Sequence, residues 1–147
     1  MHHIAGSFFR DFPEWTCEQM FALAAGVEDY PGFVPWCRRA VVTARSAAGW
    51  EVDNHFGVGP IDIRFRSHAV PAPPRRLEIT SADGPFQAFA LQWSFTPRDE
   101  GGCRVQADYS VAFRSPLLQG LARIAVPEVE ARVWRSFDAR ARMLYGT

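Results

Sequence analysis

The sequence predicts an α+β fold in which a curved antiparallel sheet of about six to seven strands surrounds one long C-terminal helix. Two observations predict it. Apolar residues recur at three- and four-residue steps over residues 115–145, which is the spacing of one helix face. Between residues 38 and 114, apolar and polar residues alternate in short runs separated by Gly and Pro, which is typical of antiparallel strands.

The C-terminal helix has a clear start signal. Ser115 is a good N-cap residue, and Pro116 follows at the first helical position, where its missing N–H costs nothing. Its predicted apolar stripe is Leu118, Ala122, Ala125, Val129, Val133, Phe137, Ala141 and Leu144. A stripe of this length needs a partner as large as a sheet. Because Pro127 removes one helical hydrogen bond, we expect a bend near 123–127, which either follows a curved sheet or sets the mouth of a cavity.

The N-terminal region predicts a strand, a helix and an aromatic loop. Ile4–Arg10 is apolar-rich and predicts the strand, while Thr16 and Gln19 form a capping box. The helix should end at a left-handed Gly26, followed by a short helical turn around residues 28–30. The loop Tyr30–Cys37 holds two prolines and several aromatic residues. It is either a plug at one end of the core or an apolar lip at a ligand entrance.

The alternating region predicts strands at 39–46, 50–58, 75–81 and 104–114, with two more beginning near Ile61 and before Phe89. Pro71–Pro74 should form a stiff connection between strands. The residues expected to face inward are Trp50, Val52, Asn54, Phe56, Val58, Ile61, Ile63, Phe65, Phe89, Leu91, Trp93, Phe95, Val105, Ala107, Tyr109, Val111 and Phe113. With 147 residues and no linker or repeat, we expect one domain spanning residues 1–147.

Composition limits the classes of function. The formal net charge is zero, so no overall field attracts nucleic acid or an anionic membrane. Cys17, Cys37 and Cys103 are odd in number and lack a CxxC spacing, which argues against a disulfide framework or a zinc site. The N-terminus has no long apolar run. We therefore expect a cytoplasmic protein, with peripheral contact at the inner membrane as an open alternative.

Several sequence blocks occur in the order of a known family. They are EQMF at 18–21, VEDYPGFVPWC at 27–37, DGPF at 83–86, WSFTP at 93–97, GCRV at 102–105, FRSPLL at 113–118 and SFDARA at 136–141. With these blocks the sequence resembles the coenzyme-Q-binding START-like proteins of the polyketide cyclase/START superfamily. That group includes the mitochondrial coenzyme Q chaperone and a bacterial ribosome-association toxin. The segments 57–62 and 124–127 depart from the family pattern.

The resemblance implies a helix-grip fold with an elongated apolar cavity between sheet and helix. It also implies a non-catalytic protein that binds ubiquinone or a similar prenyl lipid and supports its delivery or use in respiration. Such a ligand needs an apolar slot and a few polar groups. No cofactor is expected beyond ubiquinone as a bound ligand, and the candidate lining residues are Val34, Trp36, Asn54, Phe56, Ile63, Phe65, Phe89, Leu91, Trp93, Tyr109, Val111, Val129, Val133 and Phe137.

Two other classes of function remain open at this stage. An arginine surface, comprising Arg64, Arg66, Arg75, Arg76, Arg132, Arg135 and Arg142, would meet lipid headgroups, ribosomal RNA or a protein partner, or is simply a solvated charged face. A polyketide cyclase-like enzyme is the other alternative. His55 and Asp53 share an outward face, but no Ser or Cys is placed beside them as a nucleophile. We therefore predict no catalytic residues, and His2 and His3 alone do not predict a metal site.

Overall fold

A computed structural model describes residues 3–146 of the chain. Its elements, in chain order, are β1 (Ile4–Phe12), α1 (Cys17–Ala25), a 3₁₀ helix (Val27–Gly32), β2 (Cys37–Ser46), β3 (Gly49–Val58), β4 (Ile61–Ala72), β5 (Arg76–Ser81), β6 (Phe86–Pro97), β7 (Cys103–Phe113) and α2 (Pro116–Tyr145). The strands form one seven-stranded antiparallel sheet in the order β1-β7-β6-β5-β4-β3-β2. The predicted α+β fold, a curved antiparallel sheet with a long C-terminal helix, is confirmed.

The sheet stays open, because its first and last strands in space, β1 and β2, do not pair with each other. The edge strand β2 pairs unevenly with β3, with register shifts between Cys37 and Arg39 and between Val42 and Ala44. The Glu28 carboxylate, from the 3₁₀ helix, accepts a hydrogen bond from the Val42 N–H at 3.1 Å. This edge is therefore irregular and partly occupied by a charged side chain.

One end of the concave face is tightly packed, and we call it the packed end. It is formed by α1, the second half of α2 and the inner residues of β1, β5, β6 and β7. Trp134 lies at its centre, with ring centroids 5.1 Å from Phe8, 6.0 Å from Phe12 and 6.1 Å from Trp93. The Trp15 indole N–H donates to the Gly146 carbonyl at 2.8 Å and so fixes the end of α2. Close packing of these aromatic residues makes this end the main core of the protein.

Helix α1 begins as predicted and ends differently. The Thr16 hydroxyl accepts the Gln19 N–H, and the Gln19 side chain accepts the Thr16 N–H, so the capping box is confirmed. The helix ends at Gly26, but Gly26 has φ −79° and is not left-handed as expected. The chain continues directly into the 3₁₀ helix instead of reversing, so no left-handed residue is needed there.

Helix α2 also begins as predicted, since the Ser115 hydroxyl accepts the Leu118 N–H at 3.3 Å. It runs through Pro127 without a break in its helical assignment. The predicted apolar stripe is wrong in part, because Ala125, Val129 and Leu144 are exposed whereas Trp134 is buried. From Ala125 to Ala141 the stripe takes four successive four-residue steps, each of which turns about 40° beyond a full circle on a helix of 3.6 residues per turn. These positions therefore cannot all lie on one buried face.

Two strand boundaries differ from the prediction. Strand β1 continues to Phe12, and β4 extends through Pro71 and Ala72, which were expected in a connection. The pairing of β3 with β4 ends at Trp50 and Ala69, so no residue of β3 lies opposite Pro71. The N–H that proline lacks is therefore not required for a hydrogen bond on that side. Pro71 pairs only with Leu77 of β5.

Candidate ligand-binding groove

The other end of the concave face, beneath the first half of α2, is only loosely covered. Its inner side chains are half-buried, in contrast to the packed end, and they are Phe56, Ile63, Phe65, Phe89, Leu91, Tyr109, Val111 and Phe113. Protein interiors are normally close-packed, so partly accessible aromatic and aliphatic side chains on an inner face indicate space between the helix and the sheet. We call this space the groove.

Five phenylalanines form a connected aromatic cluster on the groove floor. They are Phe56, Phe65, Phe86, Phe89 and Phe113. Phe65 is central, with ring centroids 6.1 Å from Phe56, 4.8 Å from Phe86 and 6.4 Å from Phe89. Phe86 and Phe89 lie three residues apart yet contact each other, because the β6–β7 register shifts between Phe86 and Ala88. That irregularity adds a ring that strict alternation places on the outer face.

A depression at the start of α2 forms the mouth of the groove. Its volume is about 590 Å³, and it is lined by Ile61, Asp62, Ile63, Arg64, Gly84, Pro85, Arg114, Ser115 and Leu118. It lies between the β3–β4 hairpin, the turn before β6 and the N-terminus of α2. The aliphatic residues of this lining are half-buried and its arginines are exposed. The outer part of the mouth is therefore charged and its inner part apolar.

Two polar groups lie at the inner end of the groove, where it meets the packed end. The Tyr109 hydroxyl donates a 3.0 Å hydrogen bond to Glu130 of α2. Burial, together with this bond, raises the pKa of Tyr109 to about 12, so it stays a neutral donor near neutral pH. A Cβ on Gly6 would lie 2.5 Å from the Tyr109 hydroxyl oxygen, so Gly6 makes room for this ring. Among the described residues, the buried Trp93 Nε1 has no hydrogen-bond partner.

The side chain of Asn54, the other polar residue expected in the site, is hydrogen-bonded within the protein. Its amide nitrogen is within hydrogen-bond distance of the Val52 and Phe65 carbonyls and of the Ser67 hydroxyl, at 2.9–3.3 Å. The amide nitrogen thus ties β3 to β4, and a role toward a ligand stays a prediction.

The aromatic loop divides between the two interpretations given to it. Phe33 packs on Phe137 at 5.5 Å and on Tyr30 at 5.7 Å, so this part plugs the packed end. Trp36 is half-buried, with the Arg132 guanidinium 5.5 Å from its ring centroid. Its φ of 65° is rare for a bulky residue, which indicates that the surrounding contacts hold the ring in place. This part of the loop has the character of a lip.

The sequence matches one known family over most of its length. The family model described as polyketide cyclase/dehydrase and lipid transport matches residues 14–138. The chain belongs to this family. That match, and the relatives below, confirm the resemblance to START-like coenzyme-Q-binding proteins that the sequence blocks indicated.

Two relatives and one solved structure describe this membership. The chain is 28% identical over 132 residues to the ribosome association toxin RatA of Vibrio cholerae, an alignment covering 90% of the chain and 92% of that protein. It is 28% identical over 136 residues to the mitochondrial coenzyme Q-binding protein COQ10 homolog B of Xenopus laevis, covering 90% of the chain and 56% of that protein. A START superfamily protein from Mycobacterium smegmatis shares the fold, with 16% identity, a TM-score of 0.79 and coverage of 98% and 99%.

This member of the polyketide cyclase/START-like family places its predicted lining residues unequally. Phe56, Ile63, Phe65, Phe89, Leu91, Tyr109 and Val111 lie on the groove floor. Trp93 and Phe137 stack at 5.4 Å within the packed end, where Val34 and Val133 are packed against the core. Val129 is 38% exposed. The sequence analysis missed Phe86, Glu130 and Trp134. The last two could have been found, because Glu130, Trp134, Phe137 and Ala141 follow one another at steps of three or four residues and so share one helix face.

The outer face of the sheet carries alternating charges that largely pair. Arg66 contacts Asp53 at 3.0 Å, and His55 pairs with Asp62. On α2, Arg132 pairs with Glu128 at 2.7 Å and Arg142 with Asp138 at 3.2 Å. Within residues 3–146, Arg75, Arg76 and Arg135 have no ion pair. Much of the predicted arginine surface is thus neutralised locally.

One outer pair gives a testable pH dependence. The hydrogen bond that the His68 ring donates to the Glu51 carboxylate raises the pKa of His68 above its usual 6.5. A raised histidine pKa stabilises the fold fully below pH 6.5, and this contribution is lost as pH rises through the folded pKa. Since both side chains are about 40% exposed, we expect less than ~1 kcal/mol. Thermal unfolding of the wild type and Glu51→Gln should therefore differ more at acidic than at basic pH; a constant difference would contradict this assignment.

Among residues 3–146, no group of three or more His, Cys, Asp or Glu side chains is arranged to hold a metal ion. His2 lies outside the described residues, and the His3 ring is 3.3 Å from the Ser110 hydroxyl. Cys17, Cys37 and Cys103 are buried and free. No helix in the described part of the chain is both long and apolar enough to cross a membrane.

Proposed function

We propose that this protein binds ubiquinone or a similar prenyl lipid in the groove, without catalysis, and supports its delivery or use in respiration. The observation that carries the proposal is the aromatic cluster, whose rings lie on an inner face and, apart from the buried Phe86, are only half-buried. An isoprenoid tail would bury the part of these rings that α2 leaves accessible to water, and this burial of apolar surface would favour binding. The name of the COQ10 relative, a coenzyme Q-binding protein, supports this choice of ligand class.

The inner end of the groove has donors suited to a quinone head group. A quinone offers carbonyl and methoxy oxygens, which only accept hydrogen bonds, and both Trp93 Nε1 and the Tyr109 hydroxyl are donors. A buried donor without a partner costs free energy, so a ligand oxygen near Trp93 would recover it. Tyr109 already donates to Glu130, and it would serve a ligand only by exchanging that bond.

The geometry gives less support to the two other classes of function. His55, the one histidine named for catalysis, pairs with Asp62 on the outer face of the sheet, away from the groove. A ribosome-binding role is suggested by the name of the RatA relative, which aligns over 92% of its length. However, Arg66, Arg132 and Arg142 are each paired with a carboxylate, which reduces their attraction for RNA phosphates.

The test is a titration with a short-tailed ubiquinone, followed by quenching of tryptophan fluorescence and by native mass spectrometry. We expect one ligand per chain. The variant Trp93→Phe keeps an aromatic ring against Phe137 but removes the indole N–H, so binding should weaken about three- to tenfold, or ~1 kcal/mol. Loss of the donor itself should cost no stability, because it has no partner among the described residues, and the smaller ring should lower the free energy of unfolding by only ~1–2 kcal/mol.

A matched control is Trp50→Phe, which changes the same residue type on β3, where the ring contacts Arg45 at 4.5 Å. It should leave the affinity unchanged. If the wild type binds no quinone by either method, the proposed ligand class is wrong. If both variants weaken binding equally, the head group does not lie near Trp93.

A further inference from the structure

The first half of α2 is apolar on two sides. Leu118, Ala122 and Val126 are half-buried over the groove. On the opposite side, Leu117, Leu121 and Ile124 are 72%, 45% and 81% exposed. Their spacing puts these three side chains on one face of the helix. Between Pro116 and Pro127 the only charged residue is Arg123. A helix that merely covered a groove would present polar residues to water, so this exposed aliphatic face requires another explanation.

A second exposed apolar element lies across the mouth. The β3–β4 hairpin ends in Val58, Gly59 and Pro60, all exposed. Gly59 is left-handed with φ 57°, and a Cβ there would meet no atom within 4 Å, so the hairpin tip projects into open space. Ile61, next to this tip, and Leu118 of α2 line the same depression. The hairpin and the helix therefore border the mouth from two sides.

Positive charge surrounds this border. The Arg114 guanidinium donates to the Ala82 and Gly84 carbonyls, and within residues 3–146 neither Arg114 nor Arg123 has a carboxylate partner. Arg64 is largely exposed and reaches only one oxygen of Asp62, at 3.5 Å. Arg64, Arg114 and one acidic residue, Asp62, thus line the mouth, and Arg123 adds a further positive charge on the first half of α2. Exposed aliphatic residues with arginines on the neighbouring segments match the boundary between acyl chains and anionic headgroups of a bilayer.

We propose that the first half of α2 and the tip of the β3–β4 hairpin form a docking surface for an anionic phospholipid bilayer. Leu117, Leu121, Ile124 and Val58 enter the headgroup–acyl boundary, and Arg114 and Arg123 contact lipid phosphates. Docking sets the mouth against the bilayer, so a prenyl lipid enters the groove without crossing water. This inference rests on the proposed lipid-binding function and assigns the route by which the ligand arrives.

The test is flotation of the full chain with phosphatidylcholine vesicles that contain or lack phosphatidylglycerol. We expect binding to the anionic vesicles, reduced about tenfold in the double variant Leu117→Glu, Ile124→Glu. The matched control, Met143→Glu with Leu144→Glu, changes exposed aliphatic residues at the other end of α2 and should retain binding. Arg123→Gln should reduce the preference for anionic over neutral vesicles.

Titration of the same variants with short-tailed ubiquinone in solution separates docking from ligand binding. Unchanged solution affinity in Leu117→Glu, Ile124→Glu supports a surface distinct from the groove, whereas its loss would overturn the assignment. If the wild type binds quinone but not vesicles, the docking surface is wrong and the proposed function stands. If it binds vesicles but not quinone, the proposed function is wrong and the docking surface stands without the role in ligand entry. A wild-type dimer that Leu117→Glu, Ile124→Glu converts to monomer in sedimentation would show that a second copy covers this face and would overturn the proposal.

Discussion

Replacing Trp134 with alanine should lower the free energy of unfolding by ~3–5 kcal/mol. The indole is buried and contacts the rings of Phe8, Phe12 and Trp93, so its removal leaves a cavity that three rigid rings cannot fill. These rings join α2 to β1 and β6, and losing them loosens the packed end as a whole. Urea unfolding gives the change in free energy, and thermal unfolding should show a midpoint lower by about 10 °C.

The control for this prediction lies on the same helix. Ile124 is 81% exposed, so Ile124→Ala should change the stability by less than ~0.5 kcal/mol. If Trp134→Ala cost no more than Ile124→Ala, the second half of α2 would not pack on the sheet as the structure has it.

Replacing Phe65 with arginine should reduce the affinity for ubiquinone at least about tenfold, equivalent to ~1.4 kcal/mol. Phe65 contacts three other rings of the aromatic cluster, so a guanidinium there places a charge in the middle of an apolar surface. A bound isoprenoid tail would have to desolvate that charge, which is unfavourable. The measurement is the quinone titration, with circular dichroism and thermal unfolding to show that the variant is folded.

Val70→Arg is the matched control, because it adds the same charge to the same strand. Val70 is exposed and pairs across the sheet with Glu78, so an arginine is tolerated there. It should leave the quinone affinity unchanged. Equal affinities for Phe65→Arg and the wild type would place the ligand elsewhere and would leave the aromatic cluster without a role in binding.

Local sequence patterns were sufficient for most of the fold. Alternation identified the inner residues of β3, β4, β6 and β7 except Val58, which was expected to face inward and is 46% exposed at the hairpin tip. The capping signals at Thr16 and Ser115 fixed the starts of both helices. These features depend on neighbours close in sequence. Pro71 was misassigned because its tolerance depends on where β3 stops pairing with β4, which is a property of the assembled sheet.

The groove was less predictable for the same reason. Phe86 joins the aromatic cluster only through the irregular pairing of β6 with β7, and period-two alternation contains no sign of that shift. Glu130 reads as a polar surface residue until the fold brings Tyr109 to it from 21 positions away. The buried face of α2 was read as one straight row, so Trp134 was omitted even though it lies one turn from Phe137.

The irregular edge strand β2 has a consequence for the protein at high concentration. An unclosed sheet offers free backbone groups that another chain can extend by strand addition, the first step toward polymerisation. Here the Glu28 carboxylate accepts the hydrogen bond of the Val42 N–H, and the two register shifts make the backbone of β2 irregular. The fold therefore leaves the sheet open while denying an incoming chain a regular template for growth at β2.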